Sequence, residues 1–255
     1  LFRSQYDGLS RLKEINGPYK SVKYTYDLRG NRKTQEDSNP SLNFTSVNYT
    51  YNLSNQLETV RKGAAVTTIK YGADGLRYQK AAPRKTTQYH YSLSGKLIAE
   101  ADGTGNITAN YIWGQGKSLV KKDKRAGRDY YYLFNGHGDV VQIVDSTGKV
   151  VNNYYYDEWG NILAKRETVE NPFKYTGEVY DEESGLYYLR ARYYDPRMGR
   201  FINEDSFEGL VTNPLSLNVY TYCYNNPLGY ADPSGNISID QINSMIAGIV
   251  SSIGE

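Results

Sequence analysis

Few side chains in this 255-residue sequence carry the usual chemistry of an enzyme. A single cysteine, Cys223, rules out an internal disulfide framework and a cysteine-cluster zinc site. It lies between Tyr222 and Tyr224, where nothing nearby in sequence lowers a thiol pKa, and it reads as a buried, inert strand residue. Two histidines, His90 and His137, are too few for a histidine-rich metal site. His137 stands between two glycines, the setting of a turn or hydrogen-bonding residue. No serine has a context that signals activation, so a Ser-His-Asp site has no support. The abundant functional group is the phenol: 27 residues are Tyr against 6 Phe and 2 Trp. Rings of this kind can stack on pyranose faces, and each hydroxyl needs water or a partner. Packing on a sheet explains the same residues, and both readings stand at this point.

Charge excludes other classes. Thirty basic residues against 28 acidic give +2, no basis for binding nucleic acid by phosphate neutralisation. The run Lys121 to Arg125 reads as a solvated loop. No apolar stretch approaches the roughly 18 residues of a membrane span. The chain starts at Leu1 without a basic-then-apolar leader, and we expect it to be a piece of a longer protein.

The elements that would position any site come from a repeat. Tyr6-Asp7, Tyr26-Asp27, Tyr51-Asn52, Tyr71, Tyr91, Tyr156-Asp157 and Tyr180-Asp181 head similar units every 20 to 25 residues, with Tyr111 and Tyr132 as degenerate heads between them. Four residues on stands Ser10, Gly30, Asn55, Gly75, Gly95, Gly136, Gly160 or Ser184, a position that wants positive φ or a turn-forming side chain. Before the turns residues alternate, as in Val22, Tyr24 and Tyr26 against Ser21, Lys23 and Thr25, which predicts strands with one buried face. Past the turns Leu12, Leu57, Leu76, Leu97 and Ile162 return the chain. An isolated hairpin is marginal, so the units must join edge to edge. The expected fold is all-β, a curled antiparallel sheet of strand-turn-strand repeats. After Gly235 tyrosine disappears, and Ile242, Met245, Ile246, Ile249, Val250 and Ile253 recur at helical spacing behind a capping box of Ser238 and Gln241, which predicts a short helix over 239–253.

These repeats, with Tyr175-Thr-Gly-Glu178, Gly185 to Pro196 (GLYYLRARYYDP), Gly199-Arg-Phe201, Asn225-Asn-Pro227 and Asp232-Pro-Ser-Gly235, resemble the rearrangement-hotspot or YD-repeat family and its associated core. The resemblance spans residues 1–236 and divides the chain into repeat hairpins (1–170), core (171–236) and the start of a variable region (237–255). It implies the closing end of a shell around the protein's own C-terminal toxin or effector, secreted or displayed on a bacterial surface. It also implies that the core can cut the chain by aspartyl chemistry, in which two carboxylates share a proton, one activating water and the other donating to the scissile carbonyl. The matching residues are Asp205 and Asp232, with Arg192 holding a carboxylate or polarising the carbonyl and the cut falling between Asn236 and Ile237. Asn236 replaces the Leu common in self-cutting members, and Glu204 is a rival carboxylate. The enzymatic reading is at most this intramolecular cleavage, with no external substrate, cofactor or metal. The alternative is a non-catalytic surface module whose exposed tyrosines bind a glycan or a protein.

Overall fold

The computed structural model describes residues 3–17, 20–38, 45–207, 214–236 and 239–240. Sixteen strands, from Arg3–Tyr6 to Ile162–Glu167, form one antiparallel meander in which each strand pairs only with its neighbours in sequence. The first and last strands do not meet, so the sheet stays open. A second sheet of four short strands, Val179–Asp181, Leu186–Leu189, Arg192–Asp195 and Arg200–Phe201, follows. Among the described residues the only helical segments are three short 3-10 turns. The all-β expectation holds. At Ile239–Asp240 the expected helix is corrected: these residues pair as a strand with Tyr230–Ala231, and the remainder of that segment lies outside the described residues.

The Tyr-Asp pair has a different task in each half. The Asp makes the turn: Asp27 Oδ1 accepts the backbone N–H groups of Arg29 and Asn31 at 2.9 Å each, and Asn52 does the same for Ser54 and Gln56. The residue three positions after that Asp or Asn then turns left-handed, with φ of 78° at Gly30, 60° at Asn55 and 87° at Gly160. Two of the predicted turn positions move. Positive φ falls at Gly138 rather than Gly136, because Asn135 makes the turn and Phe134 occupies the head register, opposite Val140. It falls at Gly185 rather than Ser184, because Asp181 heads a turn one residue longer.

The Tyr hydroxyl locks one repeat to the next. The hairpins headed by Tyr6, Tyr26, Tyr51, Tyr71, Tyr91 and Tyr156 each carry a bulge where the head tyrosine meets the return strand, for example between Thr25 and Tyr26 and between Lys70 and Tyr71. A bulge leaves a backbone group without a ladder partner, and a buried carbonyl needs one. Tyr26 donates to the carbonyl of Leu12 at 2.8 Å, Tyr51 to Arg32 at 3.0 Å, Tyr71 to Leu57 at 2.8 Å and Tyr156 to Val140 at 2.9 Å. Trp113, not Tyr111, fills this place in its repeat, its indole N–H reaching Leu97 O at 2.7 Å. Phenylalanine has the ring without the donor, which accounts for Tyr at these four positions. Tyr71→Phe is expected to lower the stability of the fold by about 1–3 kcal/mol, since Leu57 O is left without its donor. Urea unfolding measures it, and a loss below roughly 0.5 kcal/mol would mean that water takes the place of the hydroxyl.

One face of the large sheet is covered. Val47, Tyr49, Leu57, Ile69, Tyr89, Tyr111, Tyr132 and Tyr154 form a single apolar cluster with Phe173, Val179, Leu186, Tyr188, Tyr193 and Ile202 of the segment that follows the repeats. That segment therefore plugs the tyrosine face, and these rings form no open groove.

Two arginines pin the plug. In the bulged register, the residue opposite the head tyrosine is Leu12, Arg32, Leu57, Arg77 and Leu97 in successive repeats, so Arg77 and not Leu76 returns the chain. Arg32 and Arg77 are fully buried. Arg32 reaches Asp195 at 2.8 Å, and Arg77 reaches Asp181 at 2.5 Å while lying between the rings of Tyr89 and Tyr188. Lys80 also pairs with Asp181, at 2.9 Å.

Candidate active site

Strand pairing and turn chemistry bring three of the predicted residues together. Arg192 opens the strand Arg192–Asp195 and is 4% exposed, with its guanidinium carbon 3.6 Å above the centre of the Phe201 ring. Its Nη2 lies 2.6 Å from Asp205 Oδ2 and 3.8 Å from Asp232 Oδ2. Nη1 donates to Val219 O at 3.0 Å, and Nε donates to Gly235 O. Asp205 is held by its own N–H, which donates to Val219 O, and by the Phe207 N–H, which donates to its Oδ1. Asp232 is buried at the head of the Asp-Pro-Ser-Gly turn, where its Oδ1 accepts Ser234 N–H, Ser234 Oγ and Gly235 N–H at 3.2, 3.2 and 2.8 Å. Gly235 is required there. Its φ is 81°, and a Cβ would sit 2.4 Å from Leu189 O.

Burial dominates the electrostatics. It pushes the Arg192 guanidinium down to about 10 against the pull of Asp205 and Asp232. It also raises the Asp205 carboxyl above the usual range, although Arg192 opposes it. Two carboxylates and one guanidinium sum to a single negative charge, so one added proton makes the buried cluster neutral. A cavity of about 40 Å³ lies against the cluster, lined by Arg192, Asp205, Asp232 and Asn236, and is large enough for water. Ile237, on the far side of the predicted cut, lies outside the described residues.

Glu204 is elsewhere: its Oε1 accepts the Tyr220 hydroxyl at 2.9 Å beside Gly30. The stretch 219–224 is a pair of turns, with left-handed Cys223, Tyr224 and Asn225 in a 3-10 segment. Cys223 is buried as expected, though in that turn and not in a strand. The sequence reading missed Phe201 and the carbonyls of Val219 and Gly235 as partners of Arg192; of these only the glycine of the Asp-Pro-Ser-Gly turn left a signal.

His137 is structural. Its Nδ1 lies 2.7 Å from Asp139 Oδ1 and its Nε2 2.7 Å from Pro227 O, two acceptors that both call for N–H. Burial alone would lower its pKa, but the Asp139 carboxylate and the Pro227 carbonyl outweigh it and raise the value above 6.5. Its contribution to stability is therefore full below the unfolded-state value of about 6.5 and is lost as pH rises through the higher folded-state value. Urea midpoints between pH 5 and 9 should fall with rising pH in the native chain, and the slope should flatten in His137→Gln.

Comparison with known proteins agrees with this architecture. The Teneurin YD-shell family matches residues 115–228. The tRNA nuclease WapA of Bacillus subtilis is 35% identical over 270 aligned positions, covering 91% of this chain and 12% of the relative. The double-stranded DNA deaminase toxin A of Burkholderia cenocepacia is 29% identical, covering 66% of this chain and 12% of the relative. The chain thus spans about an eighth of the length of these curated relatives. Among solved structures, a Photorhabdus luminescens Tc holotoxin pore with a TccC3 variant superposes with a TM-score of 0.58 at 19% identity, over 93% of this chain and 15% of that one, a likeness of fold. The open meander locked by tyrosine hydroxyls, its plugging segment and these matches establish that the chain belongs to the rearrangement-hotspot or YD-repeat family.

Proposed function

We propose that this chain is the closing end of a YD-repeat shell that encloses an effector carried C-terminal to it, and that the Arg192 cluster releases that effector by cutting after Asn236. The observation that carries the cleavage reading is the shared cavity: Asn236 lines the same small space as Asp205, Asp232 and Arg192. Asp205, with its raised pKa, carries the proton toward the Asn236 carbonyl oxygen. Asp232 takes a proton from the attacking water. The water oxygen bonds to the Asn236 carbonyl carbon to give a gem-diol; as the bond to the Ile237 nitrogen breaks, Asp232 passes its proton to that nitrogen, which leaves as the new amino terminus, and Asp205 takes a proton back from the gem-diol as the carboxyl group forms. Arg192 holds the two carboxylates in register and fixes the Gly235 carbonyl next to the scissile residue. Relatives named as a tRNA nuclease and a DNA deaminase toxin support an effector as the enclosed cargo. Likeness to a protein named as a toxin and, in fold, to a holotoxin supports secretion or surface display.

Denaturing mass spectrometry of protein kept at neutral pH tests the cut. Residues 237–255 should appear as a separate peptide, with kinetics independent of protein concentration because bond and acids share one molecule. An intact chain in a folded sample would leave a shell without chemistry. A cut at Asp232-Pro233 seen only in acid would not count.

A further inference from the structure

A second cavity, of about 230 Å³, lies where the turns of two repeats meet the plug. Trp113, Phe134 and Phe173 are among the residues that line it. Two ammonium groups lie over its rings, Lys96 Nζ 5.4 Å from the centre of Trp113 and Lys117 Nζ 5.0 Å from that of Phe134. Among the described residues neither lysine has a carboxylate within salt-bridge distance, whereas Arg190 is matched by Glu178 at 2.6 Å. The lining thus carries two cations without a counter-charge. Ser118 also lines the cavity, is only 3% exposed, and among the described residues its hydroxyl has no hydrogen-bond partner. Buried hydroxyls are rarely left in that condition.

We propose that this cavity binds a small organic anion with a flat apolar body, an aryl carboxylate in chemical class, its ring among Trp113, Phe134 and Phe173 and its carboxylate held by Lys96, Lys117 and the Ser118 hydroxyl. Size agrees: a cavity of roughly 150 Å³ takes up benzene, so this one has room for the ring and its carboxylate. A free metabolite or a ring-bearing carboxylate presented by a peptide would satisfy the same groups.

Benzoate is the probe, with benzamide as its neutral counterpart of the same shape and acetate as the anion without a ring. For a ligand of this size the expected Kd is on the order of 1 mM. In calorimetry benzamide and acetate should each bind at least about tenfold more weakly, one lacking the charge and the other the ring. With Trp159 replaced by Phe, benzoate should quench the remaining Trp113 over the same concentration range. Lys117→Gln and Ser118→Ala should each weaken benzoate while leaving the far-UV spectrum unchanged. A short peptide ending in Phe, compared with its C-terminal amide, separates the two sources: tighter binding than benzoate assigns the site to a polypeptide, and weaker binding assigns it to a free acid. Equal affinity for benzoate and benzamide, or no saturable signal with benzoate in the folded native chain, would overturn the proposal.

Discussion

Asp232→Asn is expected to leave the chain whole under conditions in which the native protein separates after Asn236. The amide keeps an acceptor oxygen for Ser234 and Gly235, so the turn survives, but it cannot take a proton from water. Removing a general acid or base slows a reaction by roughly 10²- to 10⁴-fold, which turns a cut completed in an hour into one needing from days to about a year. Asp205→Asn should do the same by removing the proton donor. Near-UV circular dichroism of both variants should match the native chain. Glu204→Gln serves as the control, since Glu204 bonds Tyr220 and not Arg192, and it should cut at the native rate. Cleavage of Asp232→Asn at the native rate, or arrest in Glu204→Gln, would relocate the chemistry.

The second large effect lies in the pins of the plug. Asp181→Ala strands the guanidinium of Arg77 in a fully buried site and removes a partner of Lys80, and it should cost about 3–5 kcal/mol. Arg77→Leu restores the residue type that alternate repeats carry in that register, so pairing it with Asp181→Ala should recover much of the loss. A single-variant loss under roughly 1 kcal/mol in urea unfolding would mean that solvent reaches the pair. Acid gives an independent reading. Arg77 and Lys80 pull Asp181 below the ordinary carboxylate value despite burial, and Arg197 and Arg32 draw Asp195 down to about 2. Depressed carboxyls contribute stability above the unfolded value of about 3.9 that is lost as pH falls through the folded one. The native chain should therefore lose stability steeply between about pH 4 and pH 2, and Asp181→Ala should lose less over that window.

The repeats were legible because strand alternation and Asp-x-x-Gly turns are local codes. What escaped was whatever the bulge rearranged. Counting four residues from Tyr132 gives Gly136, but the chain counts from Phe134, and only the pairing of Phe134 with Val140 reveals it. Leu76 looked like the returning apolar residue, yet the strand register belongs to Arg77. Arginine standing where neighbouring repeats put leucine was the available sign of a distant counter-charge. The candidate site was legible as residue names carried by a resemblance, and its geometry was not. Three successive left-handed residues at Cys223, Tyr224 and Asn225 contain no glycine, so the sequence offered strand propensity where the fold makes turns. Nothing in the spacing of Arg192 and Phe201 indicates that a ring lies beneath the guanidinium.

The pins also impose a schedule. Every strand of the meander pairs with its sequence neighbour, a topology that can zip as it leaves the ribosome. Arg32 must wait for a partner 163 residues downstream, and Arg77 for one 104 residues downstream. Until Asp181 and Asp195 are synthesised, the face that will hold the plug carries unmatched guanidinium groups that cannot afford to leave water. Sealing that face without the plug would bury two unmatched guanidinium groups, so the segment that bears the carboxylates is a condition for closing the core.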